Sequence, residues 1–138
     1  MNKIVRFGVS IEQGLLKKFD SLIHQMGYGN RSKAFADIMR EKLVKQEWDE
    51  GREVVGTITL IYNHHQRELV AKLIDIQHDH YKAVLSSQHI HLDHDNCLEV
   101  VIAKGASKEV KALAEQMKAL RGVKHVQLSM SSTGQKII

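Results

Sequence analysis

The sequence has no proline, a single cysteine, one tryptophan, three tyrosines and three phenylalanines in 138 residues. One thiol cannot close an intrachain disulfide, so a disulfide-stapled secreted scaffold is excluded and a reducing, cytoplasmic location is expected. Long hydrophobic runs are missing as well. The longest good candidate, Leu98 to Ala103, is strand-sized against the roughly 18 residues of a membrane span, so no membrane association is expected. Met1 to Ser10 carries Lys3 and Arg6 in a short alternating run and lacks the apolar core of a signal peptide. At 43% hydrophobic and 26% charged, the composition is that of a globular chain. Its length suits one ordinary domain or two small ones.

What the chain does hold is unevenly placed. Its net charge is +4. Residues 1–46 carry nine Lys and Arg against four acids, whereas residues 47–138 carry 11 against 12. The whole positive excess therefore lies in the first third, which suggests two modules, the first with an anionic partner. Histidine is the other excess: seven of nine fall between His64 and His94, and the one thiol, Cys97, follows at once.

Residues 1–47 have the pattern of a small βαα module. Ile4 to Ile11 alternates, with Phe7, Val9 and Ile11 on one face and Arg6, Gly8 and Ser10 on the other, which predicts a strand. Leu15, Leu16, Phe19, Leu22, Ile23 and Met26 follow at helical spacing. Gly27 and Gly29 end that helix. Asn30 is a good N-cap for a second helix with Phe35, Ile38, Met39 and Leu43 along one side. So short a module buries too little surface to be stable alone, and a lone strand has two unpaired edges. Both problems vanish if two chains pair their strands and interlock their helices, so an obligate dimer is expected.

Residues 48–55 read as helix end and linker. Residues 56–138 then alternate as strand, helix, strand, strand, helix, strand. The second of these helices shows Val110, Leu113, Ala114, Met117 and Leu120 on one stripe. This βαββαβ order is the ferredoxin-like arrangement, and the whole chain is of the α+β class.

Within the second module the run His89-Ile90-His91-Leu92-Asp93-His94-Asp95-Asn96-Cys97 carries the chemistry. On a strand, His89 and His91 share a face. If Asp93-His94-Asp95 is the hairpin loop, Leu92 pairs with Asn96 and His91 lies opposite Cys97. Cross-strand neighbours have Cβ atoms about 4.5–5.5 Å apart, near enough to share one metal ion. Imidazole with thiolate suits Ni(II), Cu(II), Zn(II) or Co(II) rather than Mg(II) or Ca(II). No local feature supplies a fourth ligand, and His65, His80, His94 and His125 read as solvated. Catalysis by a Cys97 nucleophile with His91 as base ranks far behind, because no oxyanion hole or substrate cleft shows in the pattern.

Three stretches together resemble one family over nearly the whole chain, the nickel-responsive transcriptional regulators (NikR) of bacteria and archaea. They are Arg6-Phe7-Gly8-Val9-Ser10, then Gly27-Tyr28-Gly29-Asn30-Arg31-Ser32, and Gln77-His78 followed by His89-x-His91 and Cys97. The resemblance implies a ribbon-helix-helix DNA-binding domain over 1–47, an intertwined dimer, and an ACT-like metal-binding and tetramerisation domain over 56–138. It implies a homotetramer, a dimer of dimers, bound to double-stranded operator DNA. It also implies one Ni(II) per subunit, held by His89, His91 and Cys97 with His78 donated from a neighbouring subunit.

By the same resemblance Arg6, Gly8 and Ser10 face the major groove, Arg31 and Ser32 hold a phosphate at a helix N-terminus, and Arg67 reaches the DNA backbone. Gly8 can offer only close backbone approach. His64 matches a position of secondary metal binding. Relatives form a cation site with an acid where this chain has Lys33; here the Lys33 ammonium, at i, i+4 from Asp37, takes the place of that cation. The resulting expectation is a nickel-dependent repressor, not an enzyme. The alternatives are a metal-storage or chaperone protein and a copper-, cobalt- or zinc-responsive regulator of the same architecture.

Overall fold

Two units emerge in the computed structural model, which describes residues 3–138: one ends at Met39 and the other runs from Arg40 to Ile138. In the first, helix α1 spans Gln13–Gln25 and helix α2, Arg31–Asp49, begins. The α1 helix stops where expected. Gly27 takes φ +85°, while the Tyr28 and Gly27 N–H groups return to the Ile23 and His24 carbonyls. That double closure needs a residue without a Cβ in the left-handed region. Asn30 starts α2 by accepting the Lys33 backbone N–H at 2.9 Å, an N-cap bond. Phe19 of α1 stacks on Phe35 of α2 with ring centroids 5.0 Å apart.

The strand expected over Ile4–Ile11 is absent: no regular structure is assigned from Lys3 to Glu12. A strand exists only through hydrogen bonds to a neighbour, and among the described residues no segment pairs with this one. Phe7, Val9, Leu15 and Leu22 are exposed, and only Ile23 and Ala34 are buried among the described residues of this unit.

The second unit is a four-stranded antiparallel sheet in the order β2-β3-β1-β4. Its elements are β1 (Glu53–Asn63), α3 (Arg67–Asp79), β2 (Val84–His91), β3 (Asn96–Ala106), α4 (Ser107–Lys118) and β4 (Val123–Ser131). This is the βαββαβ, ferredoxin-like fold. Burial alternates along β1 and β3, so Ile58, Leu60 and Tyr62 share one face with Cys97 and Val101. The α4 stripe of Val110, Leu113, Ala114 and Met117 is buried and joins them in one core. On the opposite face Val55, Ile61, Leu98, Val100 and Ile102 are only half-buried.

Segment 48–55 holds the end of α2, a short turn and the start of β1. Trp48 is fully buried. Its indole N–H donates to the Ser131 carbonyl at 2.8 Å, and its own carbonyl accepts the Ser107 hydroxyl at 2.7 Å. Gly56, inside β1, is the position that lets this ring in. A Cβ there would lie 2.8 Å from Val110 Cγ1, and 3.0 Å from both Leu128 Cδ1 and Trp48 Cη2. β2 starts at Val84 because the His80 carbonyl draws in the Ala83 and Val84 N–H groups as a turn. Gly56→Ala is therefore expected to overpack the core and destabilise this unit by about 1–3 kcal/mol. Urea denaturation followed by Trp48 fluorescence measures it, and an unchanged midpoint would refute the packing argument.

Candidate metal centre

The hairpin between β2 and β3 sets the centre. Leu92 N–H donates to the Asn96 carbonyl at 2.9 Å, and His91 faces Cys97 in the ladder, as the loop spacing suggested. Asp93 pins the turn. Its carboxylate accepts the Asp95 N–H at 2.9 Å, the Asn96 N–H at 2.7 Å and the Asn96 side-chain amide. These bonds, those from Asn96 foremost, lower the Asp93 pKa to about 2.

Cys97 is buried and its two ladder neighbours are His91 on β2 and Tyr62 on β1. Its Sγ lies 3.6 Å from His89 Nδ1. A nitrogen and a sulfur at about 2.0–2.3 Å from one metal ion stand ~3.1 Å apart at a right angle and ~3.6 Å at the tetrahedral angle. The pair fits a shared ion as it stands. The other ring nitrogen of His89, Nε2, hydrogen-bonds the Tyr62 hydroxyl and faces Glu99 Oε1 at 3.4 Å. Burial, then the Glu99 and Cys97 charges, push the Tyr62 pKa far up. Tyr62 thus stays a phenol, with Glu99 Oε2 3.4 Å away. The His89 tautomer with its proton on Nε2, shared with the Tyr62 oxygen, is the one that leaves the Nδ1 lone pair facing the thiol. Glu99 is itself buried and held by Ser87 at 2.9 Å and Gln77 at 3.3 Å.

The remaining expected ligands stand differently. His91 packs edge-on against His64, ring centroids 4.6 Å apart. His64 Nδ1 is buried without a hydrogen-bond partner. Desolvation and the neighbouring imidazoles of His65, His91 and His94 lower the His64 pKa, which favours the neutral ring. His78, in the last turn of α3, is exposed, and its ring neighbour is Tyr81 at 6.3 Å. Among the described residues, the group whose ligand atoms all converge within 4.8 Å is a different one, His65, His94 and Asp95.

Arg6, Gly8 and Ser10 are exposed, as are Ser32 and Arg67. Arg31 makes a two-pronged bond to Asp20, 2.7 Å on each branch, which lowers the Asp20 pKa and raises that of Arg31. Lys33 pairs with Asp37, whose second oxygen accepts the Tyr28 hydroxyl at 2.9 Å.

The model of the NikR C-terminal nickel-binding domain matches residues 55–131, from β1 to the end of β4. The chain belongs to the NikR family. It is 53% identical to a chain of Syntrophus aciditrophicus described as a nickel-responsive regulator, over 98% of both chains. A chain of Thermococcus kodakarensis with the same description is 49% identical over 99% of both. In structure, an uncharacterized protein of Thermotoga maritima superposes with a TM-score of 0.52 at 11% identity, covering 57% of this chain and 98% of that one. This last likeness concerns the fold alone. No helix among the described residues is long and apolar enough to cross a membrane.

Within this NikR fold, residue order singled out Cys97 and the two hairpin histidines and did not single out Tyr62, Glu99, Ser87 or Gln77, which the structure brings against them. A signal was present for two of them. Glu99 follows Cys97 at i+2, a carboxylate on the buried face of an alternating strand, and Tyr62 continues the inward series of Ile58 and Leu60.

Asp93 gives the pH test. Its pKa is depressed in the folded hairpin, so its stabilising contribution is complete above the ordinary carboxylate value near 3.9 and is lost as pH falls through about 2. Carboxyl carbon-13 NMR of the metal-free protein should place the Asp93 midpoint near 2. A midpoint in the ordinary range would show that the turn bonds are not held in solution.

Proposed function

We propose that this chain is a nickel-dependent, sequence-specific DNA-binding repressor, with DNA-binding residues in 1–47, a linker over 48–55 and a metal-binding and tetramerisation domain over 56–138. The observation that carries the reading is the Cys97–His89 pair. A buried thiol and an imidazole nitrogen stand 3.6 Å apart, with the other imidazole nitrogen tied down by Tyr62. Soft thiolate with imidazole suits nickel among divalent ions, and both relatives compared above carry nickel response in their descriptions. When bound, nickel supplies a fixed positive centre that gathers ligands from more than one element. His91 completes the local set by turning from His64. His78 is exposed on α3 and supplies the fourth donor to a neighbouring subunit, at one Ni(II) per subunit. Metal occupancy and assembly are then thermodynamically linked.

Two uncovered apolar surfaces support that assembly, each within its own unit. In the first, an open groove of about 810 Å³ is lined by Ile4, Phe7, Val9, Phe35 and Met39 among others. A second copy fills it: paired Ile4–Ile11 strands form the ribbon, and the unpaired backbone of each strand finds its partner. In the second, the half-buried sheet face of Val55, Ile61, Leu98, Val100 and Ile102 meets its equivalent to make the homotetramer.

On the paired ribbon, Arg6 and Ser10 project into the major groove with Gly8 between them. Arg31 and Ser32 at the start of α2 hold a phosphate, and Asp20 holds the Arg31 guanidinium in place. Arg67 meets the DNA backbone. Lys33 on Asp37 supplies the positive charge that a bound cation would otherwise bring. His64 lends a secondary metal contact beside His91.

Gel-shift titration with nickel, operator and scrambled DNA tests the reading as a whole. Operator affinity should rise with nickel and fall steeply with salt, whereas scrambled DNA should show the salt dependence alone. Cys97→Ala and His89→Ala should each abolish the nickel dependence; variants that bind nickel and operator as the parent does would refute the sensor mechanism. Arg6→Ala should cost about 1–3 kcal/mol against operator and little against scrambled DNA. An equal loss on both would make Arg6 a phosphate contact instead.

A further inference from the structure

A small pocket in the second unit shares no residue with the metal centre. Glu47, Arg52 and Glu53 form one wall, and Thr133, Gln135 and Lys136 the other. Its volume is about 160 Å³, the liquid volume of about five waters. The first wall is the end of α2 and the start of β1. There the Arg52 N–H donates to the Glu47 carbonyl at 3.0 Å, and Gly51 turns the chain with φ +72°. The second wall follows β4. The Ser131 carbonyl accepts the Trp48 indole N–H at 2.8 Å, and the Ile138 carbonyl accepts from Arg40 Nε at 2.6 Å. Residues 132–138 are thus fastened to α2 at both ends, and between those fastenings they line the pocket.

The group that asks for a ligand is Glu47. It is 7% exposed, and its Oε2 is buried with no hydrogen-bond partner. A buried carboxylate oxygen without a partner is costly. The other charges on the walls do not answer it. Arg52 pairs with Glu50 at 2.6 Å, and Glu53 with Lys104 at 3.5 Å. Lys136 is exposed and makes no hydrogen bond to Glu47 Oε2. The pocket therefore holds one unanswered negative charge among further acceptors, the Thr133 hydroxyl and the Gln135 amide oxygen. A hard divalent ion takes about 6–8 oxygen ligands, and the Arg52 and Lys136 charges oppose a double positive charge there. An ammonium group needs only three acceptors and brings the single charge that Glu47 lacks.

We propose that this pocket binds a small primary amine in its ammonium form, with Glu47 as the anchoring carboxylate and Thr133 and Gln135 as further acceptors. The volume admits the ammonium head and a short alkyl chain. Because Thr133 and Gln135 belong to the tail and Glu47 to α2, a bound ammonium joins the tail to the helix.

The inference rests neither on DNA binding nor on nickel. Its test is a titration of the metal-free, full-length chain with propylammonium chloride, the ionic strength held constant with tetramethylammonium chloride, which has the charge but no N–H. Trp48, the one tryptophan and the chain neighbour of Glu47, reports occupancy by fluorescence, with calorimetry in parallel. A saturable change above the tetramethylammonium background is expected. KCl and CaCl2 in place of propylammonium should bind at least tenfold more weakly. Glu47→Gln keeps the shape and removes the charge; it should weaken propylammonium binding at least tenfold, with an unchanged circular dichroism spectrum to show that the variant folds. Lys136→Ala removes a like charge and should leave binding unchanged or tighter. No saturable change in the parent chain, KCl or CaCl2 matching propylammonium, a response that survives Glu47→Gln, or one lost in Lys136→Ala would each overturn the proposal.

Discussion

The register of one hairpin governs the proposed metal centre of this chain. Leu92 pairs with Asn96, so His91 meets Cys97 and His89 meets Glu99. Side chains alternate with period two, so slipping β2 by one residue would send both imidazoles to the opposite face, away from the thiol. The core itself resists that slip only from the β3 side, where Cys97, Val101 and Ala103 are buried; β2 is exposed along most of its length. The turn therefore has to hold the register, and the Asp93 carboxylate with its backbone and side-chain bonds to Asp95 and Asn96 does so.

Behind the register stands a second constraint, the orientation of one ring. A neutral imidazole offers a metal one lone pair, and which nitrogen carries it depends on where the proton is held. Tyr62, Glu99, Ser87 and Gln77 form a buried polar chain on the side of the His89 ring away from Cys97. The carboxylate of Glu99 lies in an apolar sheet interior, where an unpaired charge is costly, and its two oxygens are shared among Tyr62, Ser87 and Gln77. Gln77 ties α3 to this network, one residue before His78. The helix that carries the proposed intersubunit ligand is thus bonded to the partners of a local one.

Much of this could be read from residue order, and the failures have physical causes. The βαββαβ order of the second module was legible, the α4 stripe identified a buried helix face, and loop counting placed His91 opposite Cys97. Each rests on short-range periodicity. No local pattern shows that Gly56 makes room for the Trp48 ring, because that contact joins α2 to β1 through packing alone. Ile4–Ile11 has the pattern of a strand but no pairing segment among the described residues of its own chain, and pattern alone cannot say whose backbone completes a ladder. The His65–His94–Asp95 group was invisible for another reason. It joins two loops 29 residues apart in sequence, and no local spacing encodes that meeting.

Placing the proposed imidazole donors His89 and His91 on β2, at an edge of the sheet, has a consequence for how such a site senses. A site enclosed within one fold would bind metal whatever the state of assembly. Donors on an exposed edge are incomplete until another chain approaches, so metal affinity depends on quaternary arrangement and, by reciprocity, the arrangement depends on metal. Couplings of this kind are typically about 1–3 kcal/mol, or roughly 5- to 150-fold in affinity. The same edge would be an aggregation hazard in a chain with no partner, because Leu85 and Ile90 lie exposed along it. The edge is therefore economical only where a specific neighbour covers it. In the proposed function, exposure of β2, exposure of His78 and the uncovered apolar sheet face answer one requirement, that the metal be read by more than one chain.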